Sequence, residues 1–303
     1  MIELTQAQIA QFSQDGFLIV DRLIDPAEAD RVAARYEPMF RGEFETGIEP
    51  DEWNWREGRD SPDHARQICN GWKGDHTIAS LCLRAEIGRA CALLAGWPGA
   101  RVQVDNVIWK PPGAKSLGFH QDCSYLEWLT PQEMLSCWIA LDGTTAEGGT
   151  MELVRGSHKW GKYPMAEQFH APEDYRKDMR RAAASIGQEP EIVPVVVPKG
   201  GGSFHHGWTW HGSGPNQGTQ PRRALVTHCI SSEARFVPAR IGHGTGRWYG
   251  KYMRHDSDEM DEHYFPILWT RDGRRSPWLD AYVRAGSAAS AAWARPSTHK
   301  ARS

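Results

Sequence analysis

The chain has 303 residues and a formal net charge of -3; 40% of residues are hydrophobic and 24% charged. That is enough for one large domain or two small ones of ordinary globular composition. It excludes the basic excess of a nucleic-acid footprint, and no apolar run approaches the ~20 residues that span a bilayer.

The opening MIELTQAQIAQFSQDGF is polar and helical in character and lacks the charged-then-apolar layout of a signal peptide. Thr5 and Gln8 form a capping-box pattern, Asp15-Gly16 stops the helix, and FLIV at 17–20 reads as a short buried strand. Asp25-Pro26-Ala27-Glu28 starts a second helix, expected to run to Phe40. Residues 41–76 read as a long irregular loop, which is uncommon without a function. Its stretch 53–76 is a candidate lid, with Arg56, Arg59, Arg66, Trp72 and Lys73 as groups that could meet a polar or anionic substrate. A helix over 77–95 follows, with Ile78, Leu81, Cys82, Ile87, Cys91 and Leu94 in 3.6-residue register.

From residue 101 the pattern changes to strands: 102–110, 117–125, 134–142, 149–157, 192–198, 201–207 and 223–231, bounded by Gly or Pro turns. Such spacing predicts a sandwich or barrel. A charged insertion at 158–191 is expected to be helical around 172–186, and the tail from 237 ends in AAWARPSTHKARS, expected to fray. The six cysteines, without a CxxC pair, read as reduced thiols, which points to the cytoplasm. Fourteen tryptophans fit either a Trp-rich core or an aromatic-lined pocket.

The chemistry concentrates in His120-Gln121-Asp122. On a strand, residues i and i+2 share a face, so His120 and Asp122 can grip one metal together. His211, in WTWHGSGPN, is the candidate third ligand, with His205 and His206 as rivals. Two imidazoles and one carboxylate on one side of an iron leave positions open, as in non-haem Fe(II) oxygenases. Arg222, eleven residues beyond His211, can pair bidentately with a carboxylate; Arg223 is its rival, and alternation lets only one of them point inward.

FSQDGFLIVDRLIDPAEA, WKPPG, FHQD, SCWIALD, EGGTMELVRGSH and WHGSGPN followed by RRAL together resemble the phytanoyl-CoA dioxygenase family across most of the chain. The resemblance implies a mainly β fold with flanking α-helices, a double-stranded β-helix (cupin-like jelly roll). It implies Fe(II), 2-oxoglutarate as cosubstrate, O2 and supportive ascorbate, and usually hydroxylation of a small molecule with release of succinate and CO2. Carried over by position, His120, Asp122 and His211 bind the metal. Arg222 pairs with the tail of 2-oxoglutarate, and Ser213, Trp138 and Asn106 flank it. Tyr125, Trp72 and Arg66 are candidate substrate contacts. Related halogenases carry a small residue where Asp122 stands, so halogenation is not expected. The stretch that follows HxD in ectoine hydroxylases is absent, so that substrate is not assigned. One domain over 1–303 is expected: a helical part to about 100, a jelly-roll core over 101–236 and an extension over 237–303. Desaturation, ring closure or a non-catalytic metal-binding role would use the same residues. No nucleic-acid or membrane partner is expected, and the oligomeric state stays open.

Overall fold

The computed structural model describes residues 2–285, and the terminal AAWARPSTHKARS lies outside the described residues. Helix α1 (Gln6–Asp15) opens on a closed capping box: Gln8 N–H donates to the Thr5 hydroxyl at 3.2 Å and Thr5 N–H to the Gln8 side chain at 2.9 Å. Gly16, at φ 81°, ends it in the left-handed region. Strand β1 (Phe17–Val20) follows, then α2 (Pro26–Ala33), capped by Asp25. The single helix expected to Phe40 is in fact two, with α3 (Tyr36–Phe40) restarting after a break at Ala34 and Arg35. Pro38 explains the break, because it has no N–H for the Ala34 carbonyl and its ring crowds that carbonyl.

The expected loop 41–76 carries β2 (Glu52–Trp53), β3 (Arg66–Cys69) and α4 (Gly71–Gly74). The helix expected over 77–95 also divides, into α5 (His76–Cys82) and α6 (Ala85–Ala95). Between them Arg84 is extended at φ -73°, ψ 138°, and its guanidinium reaches back to Glu28 at 2.9 Å.

The remaining elements are β4 (Gly99–Lys110), β5 (Leu117–His120), β6 (Leu129–Thr130), β7 (Leu135–Ala140), β8 (Glu152–Val154), α7 (Lys177–Ser185), β9 (Ile192–Pro194), β10 (Gly202–His206), β11 (His211–Ser213), β12 (Arg222–Ser231), β13 (Arg235–Phe236), α8 (Gly246–Tyr249) and β14 (Ile267–Thr270). They form two main antiparallel sheets. The larger has the order β1-β10-β7-β12-β4-β3-β2, with β14 also on β4; the smaller is β5-β11-β8-β9. β6 and β13 pair separately.

The sheets pack face to face through Trp138, Ala140, Ala224 and Val226 of the larger and Leu153, with Met151 and Val195 beside it, of the smaller. The other face of the larger sheet, with Cys137, Ile139 and Leu225, is covered by Leu81, Ile87 and Cys91 of the helices. This is why all six residues of β7 are buried, where a half-solvated strand would alternate. The result is a jelly roll flanked by helices, not a closed barrel. The segment after 237 packs onto it: Trp128 meets Phe236, Tyr249 and Phe265 ring to ring, and β14 joins β4. All six cysteines are free and buried.

Candidate metal centre

β5 and β11 pair so that His120 stands opposite His211, with ring centroids 4.1 Å apart. β5 ends at His120. Gln121 continues extended at φ -116°, ψ 121°, and Asp122 begins a 3-10 turn. The shared face therefore survives although Asp122 has left the strand. Gln121 points the other way, donating to the Gly161 and Trp208 carbonyls at 3.0 and 2.8 Å.

Asp122 Oδ1 lies 3.3 Å from His120 Nε2 and 3.5 Å from His211 Nε2. Each imidazole is oriented from behind, with Nδ1 2.9 Å from the Gly118 carbonyl for His120 and 2.9 Å from that of Thr209 for His211. A ring whose Nδ1–H is held by a carbonyl presents a bare Nε2 forward, the arrangement a metal requires. One ligand atom from each of His120, Asp122 and His211 falls within 4.8 Å of the others.

The second oxygen, Asp122 Oδ2, is held by residues the sequence reading did not select. Ser136 Oγ lies 3.2 Å from it and 2.7 Å from His228 Nδ1, and Asn106 Nδ2 lies 3.0 Å from His228 Nε2. His228 follows Arg222 by an even spacing on β12, so alternation could have found it. His205, one of the rival ligands, does face the site, with Nε2 3.6 Å from Asp122 Oδ2 and neither ring nitrogen hydrogen-bonded. His206 turns away toward His158, at 5.6 Å between ring centres.

Burial alone would raise the Asp122 carboxyl. The surrounding imidazoles, His211 foremost, reverse this and hold it well below its ordinary value. Burial, reinforced by His120, keeps His211 well below its own, and burial brings His228 down to about 4. The site thus favours an anionic Asp122 carboxylate and uncharged His211 and His228 rings, and a metal ligand set needs its carboxylate ionised.

A cavity of about 70 Å³ leads from the triad to Arg222, walled by Trp138, Met151 and Val226. Arg222 is 4% exposed, and its Nη2 donates to the Gly149 carbonyl at 3.1 Å and reaches Ser213 Oγ at 3.5 Å. Its guanidinium sits over the Trp138 ring at 5.9 Å. Burial lowers it to about 10. No carboxylate among the described residues pairs with it, so a buried cation faces a small cavity without an anion, which fits a carboxylate ligand. Arg223 takes the opposite face and pairs with Asp142 at 2.7 Å. Lys110, opposite Arg222 in the ladder, is also buried, with Nζ 2.9 Å from Ser213 Oγ.

Other expected contacts divide. Tyr125 lines a second cavity of about 300 Å³, which shares His120, Asp122 and Asn106 with the first. Arg66 lines the first cavity but is clasped between the Trp55 and Trp109 rings at 3.8 and 4.2 Å. Trp72 lines neither: it is buried on the far side of the larger sheet, stacked on Trp278 at 5.8 Å. The expected basic lid is not free either. Lys73 pairs with Asp51 at 2.7 Å, Arg56 with Glu49 at 2.8 Å and Arg59 with Asp60 at 2.6 Å.

Comparison with known proteins agrees with this geometry. The chain matches the family described as Phytanoyl-CoA dioxygenase (PhyH) over residues 12–224. It is 24% identical over 255 residues to the peroxisomal phytanoyl-CoA dioxygenase of Homo sapiens, covering 78% of this chain and 71% of that protein. It is 31% identical over 144 residues to a probable alpha-ketoglutarate-dependent hypophosphite dioxygenase of Stutzerimonas stutzeri, covering 47% of this chain and 50% of that protein. The fold matches the epimerase SnoN in complex with Fe3+, alpha ketoglutarate and nogalamycin RO, at a TM-score of 0.67 and 19% identity, over 87% of this chain and 98% of the other. The chain belongs to the phytanoyl-CoA dioxygenase family and is a non-haem iron, 2-oxoglutarate-dependent dioxygenase.

Proposed function

We propose that His120, Asp122 and His211 hold iron(II), that Arg222 with Ser213 and Trp138 seats 2-oxoglutarate, and that the enzyme hydroxylates an unactivated C–H bond of a small molecule. One observation carries this reading. Two back-anchored imidazoles face one oxygen of a buried carboxylate, and a short cavity runs from them to a buried arginine without an anionic partner. When bound, iron(II) and the 2-oxo acid supply the use of O2: the keto acid becomes succinate and CO2, and one oxygen atom goes to the substrate C–H.

The chain's own residues do the rest. Asp122 stays anionic and occupies a ligand position, which leaves no gap for a halide. Gly118 and Thr209 carbonyls fix the faces of His120 and His211. Ser136 ties Asp122 Oδ2 to His228 and leaves Oδ1 toward the metal. Trp138, Met151 and Val226 keep the cosubstrate cavity dry, which strengthens the Arg222–carboxylate pair. The substrate enters from the Tyr125 side, so the cosubstrate and the reacting bond approach the metal from different cavities.

The test is succinate release with Fe(II), ascorbate and 2-oxoglutarate. Wild type releases succinate even without its substrate; no release at all overturns the enzyme reading and favours a metal-binding scaffold. Arg222→Ala raises the KM for 2-oxoglutarate about ten- to a hundredfold, the loss of a charge-assisted hydrogen-bonded pair. An unchanged KM would place the carboxylate tail of 2-oxoglutarate on a group other than Arg222. A second outcome class, epimerisation, occurs on this fold in SnoN; product mass separates it from hydroxylation, since only hydroxylation adds an oxygen atom.

A further inference from the structure

The second cavity differs from the first in what lines it. No lysine or arginine is among its described lining residues. Besides the metal-site residues, its polar wall carries four carboxamides, Asn54, Gln67, Gln103 and Asn106, with His170, Thr245 and Tyr249, and one carboxylate, Glu52. The basic groups nearby are engaged: Lys73 and Lys251 both pair with Asp51, and Arg66 sits between two indoles.

Gln103 is the informative residue. In the β4–β12 ladder, Val104 opposes His228 and Val102 opposes Cys229, so Gln103 is the extra residue of a bulge. Bulges near sites re-aim a side chain. Gln103 is 1% exposed, yet its Nε2 has no hydrogen-bond partner. Asn106 Oδ1 likewise has none, while its Nδ2 is held by His228. A buried amide left unpaired is unfavourable, and a ligand's acceptor would recover that loss. Glu52 Oε1 accepts from Tyr249 Oη at 2.7 Å, a phenol that burial pushes well above its ordinary value and so keeps protonated. With the Cys69 thiol beside it as a second donor, that carboxylate still has acceptor capacity open.

We infer that the substrate is an amine-bearing, hydrogen-bond-rich small molecule without a phosphate or carboxylate, its amine on Glu52 and a hydroxyl or carbonyl oxygen on Gln103 Nε2. This rests on the reading of His120, Asp122 and His211 as the iron site, because that reading makes the adjoining cavity the substrate cavity. An anion at Glu52 would meet a carboxylate, with no lysine or arginine among the described lining residues to offset it. A protonated amine gains a charge-assisted bond there, and Tyr125, Phe169 and Trp248 offer aromatic faces to its carbon skeleton.

The test uses the Fe(II)–2-oxoglutarate protein without oxygen, titrated with amino alcohols, amino sugars and aminocyclitols and with matched phosphates, carboxylates and CoA thioesters. Binding is read from the change in the iron(II) absorption bands and from quenching of tryptophan fluorescence. The expected result is a response to amines and none to anions. Glu52→Gln then weakens the responding amines about ten- to a hundredfold, and Gln103→Leu weakens those that carry the oxygen acceptor. A response to anions, silence from all the amines, or amine binding unaffected by Glu52→Gln overturns the inference. The wild-type panel decides the class even if a variant does not fold. Failure of the Fe(II)–2-oxoglutarate band to form before any substrate is added is a different failure, that of the metal-site reading.

Discussion

Asp122 divides its two oxygens between two tasks. Oδ1 faces the Nε2 atoms of His120 and His211, and Oδ2 faces Ser136, His205 and His228. On the proposed assignment His205, 3.6 Å from Oδ2, stands beside the carboxylate and is not a ligand. His211→Ala is therefore expected to lose iron, whereas His205→Ala keeps close to one iron per chain, measured by metal analysis after anaerobic loading; the reverse pattern would reassign the third ligand. The triad residues and Arg222 were legible because strand alternation and spacing are local properties of the sequence. His228 was equally legible by its even spacing from Arg222. Lys110, His205 and Gln103 were not, because a side chain's role there depends on which strand lies opposite and where a ladder slips, and register is a long-range property. Arg56, Arg59, Lys73 and Trp72 already have partners that the sequence does not reveal: Glu49, Asp60 and Asp51 meet the cations, and Trp278 the indole.

Among the elements, most strands stand where the alternating and apolar runs placed them, and the helices start at their caps. The differences are interruptions, at Pro38 and at Arg84, and the added strands β2, β3, β6, β11, β13 and β14. β3 is only Arg66–Cys69, too short for a periodic signal, and becomes a strand by pairing with β4 along the edge Asn106–Trp109 that β12 leaves open. The junction of β4 with α4 carries an ionisable group. Asp105 is 0% exposed and accepts from Trp72 N–H at 3.0 Å. Burial pushes its carboxyl from 3.8 up to about 7. The folded state therefore holds this proton more tightly than the unfolded chain does. The resulting contribution to stability is complete below the unfolded value near 3.8 and declines as pH rises through about 7. Asp105→Asn, which cannot ionise, should flatten the fall in urea midpoint between those limits; an identical pH slope in variant and wild type would contradict the assignment.

For the whole molecule, the ligands come from both strands of the β5–β11 pair and from the turn after β5, and Asp122 is braced by β7 and β12 of the other sheet. An ion held there links the two sheets. Binding to the folded state alone adds about 2.7 kcal/mol at a hundredfold excess over Kd, a rise of a few degrees in Tm for a chain of this size. Manganese(II), as a redox-stable probe, should raise the Tm of wild type in a thermal melt, chelator should reverse it, and Asp122→Ala should show no such rise. A rise that persists in the variant would place the stabilising ion elsewhere. No described helix is long and apolar enough to cross a membrane.

The closeness of Lys110 to Arg222 has a consequence for charge balance. Burial first, and the Arg222 guanidinium second, drive the Lys110 ammonium well below its ordinary value, while its nitrogen hydrogen-bonds Ser213 and Gly214. A divalent ion and the Arg222 guanidinium carry three positive charges, and Asp122 with a dicarboxylate carries three negative ones. Either guest alone leaves two of these charges uncompensated. Each guest thus corrects the imbalance the other leaves in a medium of low dielectric, and the two are taken up cooperatively.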